Sequence, residues 1–168
     1  MNRQSILELI ADLLEYPTAK LISDLKLMSV NDGYGIGGEI EIFIREVLSR
    51  DLYYLQEIYV ETFDMSSKTN LYLSYHVYGD RSKRGGLFLA SLMELYNKYG
   101  FNYNRNELPD YIPTILRFIA KCNNKCIKDT QFKHLISVLS DAIDKIRKNM
   151  PPGKSLHPPS QCREDHAK

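Results

Sequence analysis

Apolar residues recur along this chain at helical rather than strand spacing. Ile6, Leu7, Ile10, Leu13 and Leu14 follow one another at intervals of three and four behind the possible caps Asn2 and Ser5, and Pro17 comes soon after the stripe ends, which predicts a helix over about residues 3–15. Thr18 can cap a second segment in which Leu21, Ile22, Leu25 and Met28 share a face, until Asn31-Asp32-Gly33 and the glycines up to Gly38 break it into a loop. Ile40, Phe43, Ile44, Val47 and Leu48 make a third stripe, and Leu52, Leu55, Ile58, Tyr59 and Phe63 a fourth, separated near Arg50-Asp51. Leu71 to Val77 is rich in Tyr and Leu and has strand propensity, but no partner strand is in view, so it reads as a short helix.

Residues 81–99 place Leu87, Leu92, Leu95, Tyr96 and Tyr99 over one broad face before Gly100 stops the helix. Pro109 suits a first helical position and Pro113 still falls in a first turn, so Ile112, Ile115, Leu116 and Ile119 continue a helix to about Lys121. A last helix begins near Asp129 or Thr130. It carries Phe132, Leu135, Ile136, Leu139, Ile143 and Ile146, with Lys145, Arg147 and Lys148 at the end its dipole favours for cations. The expected fold is all-α: a single-domain bundle of about seven to eight helices over residues 1–149. Residues 150–168, Pro-rich and poor in apolar side chains, are expected to form a flexible, disordered tail.

Charge narrows the range of partners. Lys plus Arg total 22 against 21 Asp plus Glu, a balance without the basic excess that binding a phosphate backbone requires, so nucleic acid is not expected. No apolar run reaches membrane-spanning length, and Glu8 and Asp12 interrupt any leader-like apolar core near the N-terminus. Direct membrane insertion is therefore not expected. The odd cysteine count, 3, fits free thiols in a reducing compartment, and the expectation is a cytoplasmic monomer or weak dimer.

Three constellations invite a chemical reading. Cys122 and Cys126, with Cys162 and His166, have a spacing that could hold zinc, but half of that set lies in the tail; thiols at a helix end are the simpler account. Gly79 to Gly86 mixes glycine and cations as phosphate loops do, yet lacks their Gly-Lys-Ser/Thr ending and reads as a charged turn. His76 and His134 have no nucleophile at catalytic spacing. No enzymatic activity, cofactor or metal is expected.

Four segments carry a family likeness: Tyr59-Val60-Glu61-Thr62-Phe63-Asp64; Leu71-Tyr72-Leu73-Ser74-Tyr75 with Gly79-Asp80; Arg84-Gly85; and Glu107-Leu108-Pro109-Asp110-Tyr111-Ile112-Pro113. In order and spacing they resemble the NarJ-type nitrate reductase molybdenum cofactor assembly chaperones, also called the nitrate reductase delta subunit, over about residues 1–147. In that family the Leu-Pro-Asp motif usually continues with His, where this chain has Tyr111. The resemblance implies an all-α chaperone, related to those of trimethylamine oxide and dimethyl sulfoxide reductases. It implies a protein that binds the N-terminal segment of the apo catalytic subunit until the cofactor is inserted.

The residues support a matching mechanism. Glu107 and Asp110 beside Tyr111, at a helix N-terminus, could pair with Arg or Lys of an incoming peptide. Tyr59, Phe63, Leu71, Tyr72 and Tyr75 would then form an apolar trough, with Asp64 beside it, for helix-in-groove recognition. Each has a structural alternative: Asp110 suits the first turn of its own helix, and the aromatics suit a core stripe. A general helical adaptor, or a hydrolase with a site assembled from distant residues, are the competing functions.

Overall fold

A computed structural model describes residues 2–32, 38–79 and 83–150. Among these there are nine α-helices: α1 (Arg3–Leu13), α2 (Ala19–Asp32), α3 (Gly38–Leu48), α4 (Leu52–Tyr59), α5 (Leu73–Tyr78), α6 (Lys83–Lys98), α7 (Ile112–Lys121), α8 (Asn124–Lys128) and α9 (Thr130–Asn149). The all-α expectation holds, with a helix more than the upper end of its range. Asn31 and Asp32, expected in a loop, still belong to α2, and Met150, expected in the tail, donates to Ile146 O at 2.9 Å; residues 33–37 of that loop, the turn at 80–82 and the remaining tail, with Cys162 and His166, lie outside the described residues.

The caps fall where short polar side chains allow. Asn2 accepts from Ser5 N at 2.8 Å, Thr18 Oγ1 from Leu21 N at 3.2 Å, Asp51 from Tyr54 N at 3.0 Å and Asp129 from Gln131 N at 2.8 Å, each satisfying an orphan amide of a first turn. The short α8 was not apparent from the stripes, because five residues hold less than two turns of periodicity. Asn123 creates it by accepting from both Lys125 N and Cys126 N. Cys126 is buried, and it is joined to Cys122 in a disulfide with Cα atoms 5.4 Å apart. Here the structure differs from the free-thiol expectation, joining the two sulfurs of this pair.

Two apolar clusters organise the bundle. The larger joins α1, α5, α6, α7 and α9 around Phe118, whose ring meets those of Tyr96, Phe101 and Phe132 at centroid distances of 4.8, 5.4 and 6.1 Å. The smaller unites α1 to α4 through Leu9, Leu25, Ile44, Val47 and Leu55. α1 belongs to both, because it packs along α7 on one side and over α2 to α4 on the other. On α6 the inward face is Phe88, Leu92, Leu95 and Tyr96, while Leu87 is 72% exposed. The five-residue step from Leu87 to Leu92 turns a helix about 140° away from the common face.

Asp129 joins α6 to α9. Besides capping α9 it accepts from Lys98 Nζ and from the Tyr99 hydroxyl, both at 2.7 Å. Those two hydrogen bonds, Lys98 first, hold its carboxyl down at about 2. Since the folded value is depressed, the stabilisation is present above the ordinary carboxylate value near pH 4 and is lost as pH falls toward 2. Thermal melts between pH 5 and pH 2 are expected to fall less steeply for Asp129→Asn than for the unmodified chain; parallel curves would contradict this assignment.

Candidate functional site

The fourth apolar stripe does not run on as regular helix. After Tyr59 the chain widens into a π turn, Val60–Asp64, closed by Met65 N donating to Val60 O at 2.9 Å. The buried Thr69 hydroxyl donates to the carbonyl of Thr62 and holds this widened turn from outside the helix. Tyr59 and Phe63 still stack one turn apart, with centroids 5.1 Å apart.

An apolar trough of about 160 Å³ opens beside these rings. Leu13, Leu21, Ile22, Phe43, Val47, Leu55, Ile58, Tyr59 and Phe63 line it, with Met150 arriving from the end of α9. Most of this lining comes from stripes that sequence reasoning assigned to core packing. The usable signal was the width of the stripes: on α3, Ile44 is buried completely while neighbouring Phe43 remains 43% exposed, more apolar surface than one core contact requires.

On the far side of Leu21 lies a cleft of about 380 Å³ whose charged lining is Asp12, Glu15, Lys20 and Asp24. Arg117 on α7 reaches across to this rim, donating to Glu15 at 2.6 Å and Asp12 at 2.7 Å. Glu15 also borders a second polar cleft of about 380 Å³ with Glu107, Tyr111, Arg117 and Lys121. The three depressions thus meet around the C-terminal end of α1 and the start of α2.

The nine residues expected to bind peptide do not form one surface. Tyr59 and Phe63 line the trough, and Asp64 is exposed at the end of the π turn. Glu107 and Tyr111 line the second polar cleft instead. Tyr72 stands behind them, donating to Glu107 at 2.9 Å with its ring 5.4 Å from that of Tyr111. Tyr75 is half-buried on α5 against His76, away from the trough. Leu71 and Asp110 are sealed inside and present no surface.

Asp110 acts on a helix other than its own. Its Oδ2 accepts from Ser74 N at 2.9 Å, capping α5 across a separation of 36 residues. Two backbone bonds fix this geometry: Leu73 N donates to Asp110 O at 3.0 Å, and Ile112 N to Leu71 O at 2.8 Å. The Leu71–Leu73 segment thus pairs briefly with Asp110–Ile112, its strand propensity finding a partner in the Pro109 segment. Pro109 consequently sits in the turn before α7, and Pro113 occupies the second helical position.

Tyr111 is more than a replacement for an imidazole. Its hydroxyl and that of Tyr59 lie 3.1 Å apart, facing the Leu14 carbonyl at 3.4 and 3.2 Å. Burial pushes both phenols above their ordinary range, and burial followed by the Glu107 bond does the same for Tyr72. All three remain protonated at neutral pH, so Tyr59 and Tyr111 are hydrogen-bonded struts between the end of α1, the end of α4 and the start of α7, and Tyr72 ties the segment before α5 to Glu107.

The sequence profile of the nitrate reductase delta subunit family matches residues 36–151. The nitrate reductase molybdenum cofactor assembly chaperone NarJ of Escherichia coli K12 is 32% identical over 125 residues, which is 68% of this chain and 51% of that protein. A Bacillus subtilis relative named as a probable chaperone of this kind is 35% identical over 95 residues, 56% of this chain and 50% of its own. The chain therefore spans about half the length of the curated relatives it matches. A crystal structure titled as a redox enzyme maturation protein from Archaeoglobus fulgidus superposes with a TM-score of 0.56 at 22% identity, covering 86% of this chain and 94% of that one, a likeness of fold. With the family profile covering well over half of its residues, the chain belongs to the nitrate reductase delta subunit family.

Proposed function

We propose that this chain is a cytoplasmic, system-specific chaperone that binds the N-terminal segment of the apo catalytic subunit of respiratory nitrate reductase and keeps it competent for molybdenum cofactor insertion. The observation that carries the reading is the open trough over α1 to α4 beside an acid-lined cleft. An amphipathic guest helix would lay its apolar face against Phe43, Ile58, Tyr59 and Phe63, with the exposed Asp64 at hand for a cationic side chain on its flank, while Glu15 and Asp24, paired with Arg117 and Lys20, would exchange those partners for the guest's cations. The charge distribution favours such a guest: residues 1–79 contain twelve Asp and Glu against six Lys and Arg, and residues 80–168 nine against sixteen. Among the described residues no helix is long and apolar enough to cross a membrane. The chain's work in this reading is binding, and Leu71 and Asp110 serve it from the interior.

Calorimetric titration with the first residues of the catalytic subunit tests the proposal. Saturable one-to-one binding is expected, weakening about three- to tenfold between 0.05 and 0.5 M salt as the charge pairs are screened. No heat of binding would overturn the recognition mode; salt-insensitive binding would remove the carboxylates from it. Co-purification separates a dedicated chaperone from a general adaptor. The chaperone should retain the cofactor-free subunit and release it once loaded, whereas capture of the mature enzyme alone would contradict it.

A further inference from the structure

We propose that the corner formed by the end of α7, α8 and the first turn of α9 is a docking surface for an anionic lipid bilayer. Five exposed lysines converge there: Lys98, Lys121, Lys125, Lys128 and Lys133. Lys125, Lys128 and Lys133 have no ion-pair or side-chain hydrogen-bond partner among the described residues, while Lys121 lies over the Phe101 ring. The local carboxylate, Asp129, is already engaged by Lys98 and Tyr99. Glu94 stands one turn back on α6, and the nearest acid along α9, Asp141, is about 12 Å beyond Lys133.

The chemistry of the corner favours a diffuse negative surface over a shaped partner. Every cation in it is lysine, a compact hydrated point charge; none is arginine, whose planar fork suits paired hydrogen bonds to one carboxylate or phosphate. Ile127, 36% exposed between Lys125 and Lys128, offers an apolar side chain at the level of a headgroup layer. The display is rigid, since the Asn123 cap, the buried Cys126 and its disulfide to Cys122 hold α8 in place. Its α9 side is also distant from the Met150 end of the trough, whereas Lys121 borders the second polar cleft. The corner begins α9 and Met150, which follows its last residue, lines the trough, so the 20-residue helix separates the two by about 30 Å. A docked chain would keep its trough open.

Co-sedimentation of the whole chain with vesicles tests this. Binding to phosphatidylcholine vesicles carrying about 30 mol% phosphatidylglycerol is expected to exceed binding to phosphatidylcholine alone by at least about tenfold, and to be released in high salt. Each lysine near such a surface is worth about fivefold, so Lys125→Glu, Lys128→Glu and Lys133→Glu together should lower partitioning by roughly hundredfold or more. Arg3→Glu, Lys68→Glu and Arg105→Glu change the net charge equally from other exposed positions, and should lower it only by about threefold. Helical circular dichroism confirms that both variants fold. Equal loss in the two variants, no preference for anionic vesicles, or tighter binding to duplex DNA than to vesicles at the same salt would overturn the proposal.

Discussion

Replacing Phe43 by Ala is expected to weaken binding of the guest segment about thirtyfold while leaving the melting temperature nearly unchanged. The two effects separate because Phe43 contributes little to the core. Its ring is 43% exposed on α3, while the same helix turns Ile44 and Val47 inward to meet Leu9, Leu25 and Leu55. Truncation leaves no sealed cavity, so the large penalty for emptying a packed interior does not apply. In a complex the ring would be covered. A central aromatic anchor that becomes desolvated typically contributes about 2 kcal/mol, which is the thirtyfold. Tyr53→Ala is the control: Tyr53 is 76% exposed on the neighbouring helix α4 and does not line the trough. Titration calorimetry on both variants reads the difference. Equal affinities for Phe43→Ala and the unmodified chain would mean that the guest lies elsewhere.

The position of Phe43 also indicates what sequence alone could and could not convey. Periodicity located the helices because each has one face against a core, and burial at intervals of three and four is a local property that residues such as Leu92, Leu95 and Tyr96 display directly. Caps were equally legible, since Asn2, Thr18 and Asp129 act on amides two or three residues away. The trough was not legible, because it is an absence of covering between four stripes that each look like core. Whether Phe43 or Ile44 is the covered residue depends on how α3 is rotated against α4. The family motifs had the opposite character. Tyr59, Tyr72, Asp110 and Tyr111 were recognised as a set, but a set of residues does not reveal whether it touches a guest or holds the scaffold. In the structure the Tyr59–Tyr111–Leu14 and Tyr72–Glu107 contacts join segments 35 to 97 residues apart. No window of local sequence contains such a contact.

Asp110→Ala should produce the largest loss of stability of any polar substitution considered, about 2–3 kcal/mol, or roughly 5–10 °C in melting temperature for a chain of this size. α5 has only six residues, no acidic side chain in its first turn and no cap of its own, since the side chain of Tyr72 at the cap position makes no capping bond. So short a helix is not stable by propensity. It depends on the carboxyl of Asp110, fully buried and bonded to Ser74 N, and its loss would leave that amide without an acceptor. The paired backbone of Leu71–Leu73 and Asp110–Ile112 would remain, so the damage should be local. Hydrogen exchange ought to accelerate first at the amides of α5, before those of α7. Asp110→Asn keeps one oxygen to accept from Ser74 N and is expected to cost about 1 kcal/mol or less. It is also the variant that separates support from recognition. Because Asp110 has no exposed surface, Asp110→Asn should bind the guest segment as tightly as the unmodified chain at temperatures where both are folded. A folded Asp110→Asn chain that had lost the guest would instead require α5 and the Pro109 turn to open during recognition, bringing this carboxyl into contact with the incoming peptide.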